Sequence, residues 1–147
     1  MLLLSEILYV VHVIAVSLAA GVAFVKLLLV IKCKRDHTFY TVYFRIASLL
    51  SKLIITGMIL LTLSGITWII TGYPLVFLLI LKIIIVAGIW VLGPVIDNWA
   101  EPRLKILVPV PGEEPSPEFK HVQNQHLLLE IIATLLMYAA LIIGVLL

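Results

Sequence analysis

The chain has 147 residues, 63% of them hydrophobic and only 12% charged. Soluble domains run near half apolar and a quarter charged, so a water-soluble fold is all but excluded and the expected solvent is lipid. Ten basic against eight acidic side chains leave a net +2, too little to suggest nucleic-acid binding.

A membrane-crossing helix needs about 20 apolar residues, and four stretches qualify. The first covers about 7–31, the second 46–71, the third 75–96 and the fourth 127–147. Unbroken apolar runs without alternation exclude the strands of an outer-membrane barrel. The expected fold is therefore all-α, an integral membrane four-helix bundle forming a single domain over 1–147. A signal peptide carries positive charge before its apolar core. Here Glu6 precedes that core and Lys32, Lys34 and Arg35 follow it, so the first span reads as a retained helix. Cys33, the single cysteine, makes no disulfide framework and reads as a bystander thiol.

Lys26, Lys32, Lys34, Arg35, Arg45 and Lys52 gather around the first loop. The positive-inside rule places that loop in the cytoplasm and both termini outside, a multi-pass protein of the cell membrane. Tyr40, Tyr43 and Phe44 then fall at the inner interface, Trp68 and Tyr73 at the outer one, as an aromatic belt. Only Gly72, Tyr73 and Pro74 separate the second and third spans, which makes these antiparallel neighbours. Segment 97–126 holds five of the seven prolines and five of the eight acids. Proline at that density predicts an extended cytoplasmic loop, a tether or docking surface. His37 and His121 read as loop residues.

An ionisable side chain in hydrocarbon costs about 3 kcal/mol on insertion scales, so each needs a reason. Lys26 and Lys52 lie within snorkelling reach of the inner face. Helical periodicity gathers Ser5, His12, Ala15, Ala19, Ala23 and Lys26 on one stripe of the first span. His126, Glu130, Ala133, Met137, Ala140 and Gly144 share a face of the fourth. Arg45, Ser48, Lys52 and Thr56 line up on the second. At 1.5 Å rise per residue, His12 lies roughly 10–14 Å below the outer surface, Lys82 about 10 Å and Met137 near 15 Å. His126 lies about 30 Å from that surface, so His12 and His126 cannot share one iron.

Two sets result. His12, Lys82 and Met137 form an outer set, where His12 is a candidate metal ligand for haem on an alanine face that would admit a flat macrocycle. Lys82 would be the sixth ligand, a propionate partner or a proton carrier, and Met137 a thioether alternative. His126, Glu130, Lys52 and Arg45 form an inner set suited to a quinone headgroup or a proton path.

YVVHVIAVSLAAGVAFVKLLLVIK resembles the first helix of the HemJ-like and CopD-like membrane proteins. ITGMILLTLSGITWII and LILKIIIVAGIWV are similar to their later helices. The resemblance implies a b-type haem and oxidation of protoporphyrinogen, with essential roles carried over only to His12 and Lys82. GIWVLGPVIDNW lacks the histidine that the resemblance leads one to expect there. The expected function is electron transfer or membrane oxidation by a haem protein. The rival is a non-catalytic subunit of a larger respiratory or transport complex, with polar stripes as packing glue. Either way the chain is expected in the bilayer as a homo-oligomer or a subunit.

Overall fold

The computed structural model describes residues 2–147. Helix α1 spans Leu2–Arg35 and a 3₁₀ turn, His37–Phe39, leads into α2, Tyr40–Ile70. Helix α3 spans Phe77–Val95, a π-helical turn covers Ile96–Ala100, and α4 is Glu101–Leu107. Helix α5 is Pro117–Leu146. There is no strand among the described residues, and four helical stretches are each long and apolar enough to cross a membrane. The third of these runs Phe77–Leu107, through the π turn.

The spans outreach their expected limits at one end. Thirty residues of helix are about 45 Å long, against about 30 Å of hydrocarbon, and α1, α2 and α5 have 34, 31 and 30 residues. The surplus turns project at the end carrying Lys32, Lys34, Arg35 and Arg45, here termed the basic end. They pack there around buried Cys33, Tyr40, Tyr43, Leu104, Phe119 and Val122. Tyr40 and Tyr43 are fully buried, so they are core residues and not the interfacial belt expected of them. Asp36 caps the 3₁₀ turn, and the Thr38 hydroxyl and amide hold its carboxyl below the usual carboxylate range.

The expected loop over 97–126 is mostly helix. Pro102 falls in the first turn of α4, and Pro117 in the first turn of α5. At Pro117 the missing N–H costs nothing, whereas Pro102 follows the π turn within a continuous helical stretch. Ser116 caps α5, accepting from the Phe119 amide at 3.1 Å. Only 108–116, with Pro109, Pro111 and Pro115, is irregular. His121 accordingly sits exposed on α5. Pro94 lies inside α3, where it cannot donate to the preceding turn. The chain widens into the π turn directly after it, and such bulges re-aim the side chains that follow.

Backbone packing runs in the order α2–α1–α5–α3. The α1–α2 contact is tightest at Gly57: a Cβ there would stand 2.9 Å from the Ala15 carbonyl oxygen and 2.9 Å from Ala19 Cβ. Helices α2 and α3, consecutive in sequence, meet instead through side chains, as where Trp90 Nε1 donates to Thr62 Oγ1 at 3.1 Å.

Candidate functional site

Lys26 is 3% exposed. It does not snorkel to the surface as its position near the end of α1 suggested. Its ammonium lies 3.0 Å from Asp97 Oδ1, 2.8 Å from Glu101 Oε1 and 3.1 Å from Glu130 Oε1. It also donates to Ser51 Oγ at 3.0 Å, and that hydroxyl donates to Asp97 Oδ1 at 2.9 Å. Tyr43 OH donates to Glu101 Oε1 at 2.7 Å. All the helices α1, α2, α4 and α5 thus converge on one polar centre, together with the π turn.

The π turn explains how Asp97 and Glu101 reach it. Both follow Pro94, and both contact Lys26. His126 and Glu130 lie one turn apart on α5 and face the same way, as the stripe predicted. His126 is fully buried, and its Nε2 stands 3.8 Å from Glu101 Oε1 and 3.6 Å from Glu130 Oε1. Both separations exceed hydrogen-bond range. Neither ring nitrogen of His126 has a hydrogen-bond partner. Three carboxylates against one ammonium leave a formal charge of −2 in a buried site.

Of the expected inner set, His126 and Glu130 are brought together. Arg45 and Lys52 are not: both are exposed, as are Ser48 and Thr56. That stripe of α2 faces outward, because long basic side chains are as well placed on an outer face near the interface as inside. The residues missed are Lys26, Tyr43, Ser51, Asp97 and Glu101. Their signal was the 97/101 acid pair at helical spacing, matching the 126/130 pair.

A shallow groove of 470 Å³ opens beside this centre, between α2 and the π turn with α4. Phe44, Ala47 and Ile55 wall it on one side and Pro102 on the other. Ser51, Asp97 and Glu101 reach it from the buried centre, and Ser48, Lys52 and Lys105 carry polar groups along it.

The outer set comes together only in part. His12 Nδ1 lies 2.8 Å from Ser64 Oγ, within hydrogen-bond range, and the same hydroxyl lies 2.8 Å from the Leu60 carbonyl oxygen. The Trp68 ring lies 4.9 Å from the imidazole. Lys82 acts on His12 electrostatically, yet its side chain lies against Gly144 of α5. Met137 is buried in an apolar cluster with Ala19, Ala20, Ala23, Met58 and Ile89. The alanine face expected to admit a macrocycle is covered by α2 at Gly57. These residues do not fit a porphyrin inside the bundle. No protein-family model, curated protein or solved structure matches the chain.

Proposed function

We propose that the chain is a multi-pass membrane protein that takes the headgroup of a lipid-soluble quinone into the groove between α2 and α4, in the service of membrane oxidation or electron transfer. The observation that carries this reading is the groove itself, which connects the outer surface of the helices with Ser51, Asp97 and Glu101 of the buried centre. Its apolar walls suit a ring. Ser48, Lys52 and Lys105 offer donors to quinone carbonyls, and the carboxylates offer acceptors to quinol hydroxyls. Pockets for small molecules have this make-up, mostly apolar with a few convergent polar groups.

The test is photo-crosslinking with an azido-quinone in proteoliposomes, followed by peptide mapping. Labelling should concentrate on residues 44–55 and 102–105 and fall at least tenfold in Ser48→Trp, which fills the groove from an exposed position. Equal labelling of all four spans, or labelling indifferent to Ser48→Trp, would overturn the reading. On this reading the basic end faces the cytoplasm. Cys33 is fully buried, so orientation is read from Lys34→Cys in a Cys33→Ala background, which an impermeant thiol reagent should leave unlabelled in intact cells.

A second reading, a subunit of a larger respiratory or transport complex, is favoured by Ile106 and Val110. They are 83% and 62% exposed at the basic end, next to the irregular segment. Co-purification of a stoichiometric partner, lost in Ile106→Asp, would favour it.

A further inference from the structure

We infer that Glu101, His126 and Glu130 bind one divalent transition-metal ion, with Lys26 and Asp97 as the charged groups that balance it. This goes beyond the quinone reading and stands without it.

The first ground is His126. A neutral imidazole normally has one ring N–H to donate and one lone pair to fill. Both nitrogens here are fully buried and unpartnered, which is costly unless something else satisfies them. Nε2 is turned toward two carboxylate oxygens but stops at 3.6 and 3.8 Å, outside hydrogen-bond range. One ligand atom from each of the three residues lies within 4.8 Å of the others. Ligands on one ion with bonds near 2.1 Å sit about 3.0–3.4 Å apart. Nε2 therefore needs to approach each oxygen by only about half an ångström to share an ion.

The second ground is charge. Lys26 neutralises one of three carboxylates, of which Glu130 is buried and Asp97 and Glu101 are half-buried. A divalent ion cancels the remaining −2 with His126 neutral, which is the form that ligates. Lys26 and Tyr43 together fill both lone pairs of Glu101 Oε1, so an ion would be held there through the second oxygen of Glu101 or in place of the phenol, and through either oxygen of Glu130. One imidazole with two carboxylates is a donor set for zinc, manganese or ferrous iron. Calcium and magnesium favour all-oxygen shells, and no thiolate is present to select copper(I).

The experiment uses the full chain in detergent, stripped with chelator and then titrated with Zn²⁺ and, separately, Mn²⁺. One equivalent should bind, and affinity should fall at least tenfold in His126→Gln and in Glu130→Gln. His37→Ala with His121→Ala should leave it unchanged. Zinc-edge absorption should show one imidazole among oxygen ligands and no sulfur. Because either cluster variant may fail to fold, the unsubstituted chain carries an independent readout. Its melting temperature should rise with Zn²⁺ concentration, as for any ligand held by the folded state alone. No saturable binding, a shell without imidazole, or loss of binding on removing His37 and His121 would each overturn the proposal. So would undiminished affinity in a folded His126→Gln protein.

Discussion

His12 and Lys26 lie on one stripe of one helix, two ionisable side chains separated by Ala15, Ala19 and Ala23, yet they meet opposite environments. His12 stands half-buried where α1 and α2 are in close contact, with one serine and one tryptophan as neighbours. Lys26 is buried toward the basic end, where four elements converge on it. At the first site the polar group is local and nearly self-contained. At the second it is the keystone of an excess of negative charge. In lipid, apolar surface alone does not hold helices together, so the far half relies on close backbone approach and the basic end on electrostatics.

The sharpest way to break this contrast is Lys26→Met, which keeps the volume and removes the charge. Three carboxylates, one buried and two half-buried, would lose their common partner, and breaking a buried ion pair from one side typically costs about 3–5 kcal/mol. The variant should show a collapse of its melting temperature in detergent, or fail to accumulate in membranes. A melt within a degree or two of the parent would mean that the cluster is solvated and the contrast false. At the other end of the comparison, Gly57→Val tests close packing. Its Cβ would meet the α1 backbone at 2.9 Å, a clash that no rotamer change relieves. Overpacking of this kind costs about 1–3 kcal/mol. Gly144→Ala is the control, because the only close neighbour is the flexible end of Lys82. It should melt like the parent.

Tyr43→Phe isolates one bond of the basic end. The phenol donates to a carboxylate at 2.7 Å, and hydrogen bonds to charged groups contribute about 1.5–3 kcal/mol. A loss in that range, in a variant that still packs its ring in the core, would separate the tyrosine's polar role from its apolar one. Unchanged stability would return Tyr43 to the structural role first assigned to it.

How far the sequence anticipated this arrangement follows from the same chemistry. Length and unbroken hydropathy located four spans, because twenty apolar residues have few other uses. They did not locate the extra turns of α2, α4 and α5, where polar and apolar residues alternate at helical spacing and prolines invite a loop. Pro102 and Pro117 proved to be first-turn prolines, so the segment holding Asp97 and Glu101 was helical after all. Periodicity placed the α1 and α5 stripes inward but misplaced Arg45, Ser48, Lys52 and Thr56. The outer face of a membrane helix is as apolar as its core, and a polar stripe near the interface fits either side. His126 and Glu130 were legible as a pair one turn apart. Lys26 was legible only as a member of the α1 stripe, since a lysine nine residues inside a basic helix end looks the same whether it snorkels or turns inward.

The smallest expected effect is at His12, and it bears on the haem that the family resemblance implies. Ser64 keeps its bonds to the Leu60 and Leu61 carbonyls when the imidazole is removed, so His12→Ala orphans no buried hydroxyl. The loss is one neutral hydrogen bond and part of a contact with Trp68, together about 1 kcal/mol. With α2 covering the alanine face, the purified parent protein should show no Soret band for the substitution to remove. A Soret band that disappears in His12→Ala and survives His37→Ala and His121→Ala would show that haem binds where α1 and α2 leave no room. The donor it would need is Nε2, which keeps its lone pair in the tautomer whose Nδ1 donates to Ser64. The porphyrin would then have to lie on the outer surface of α1, held between copies of the chain, and the self-contained character of the far half would be wrong.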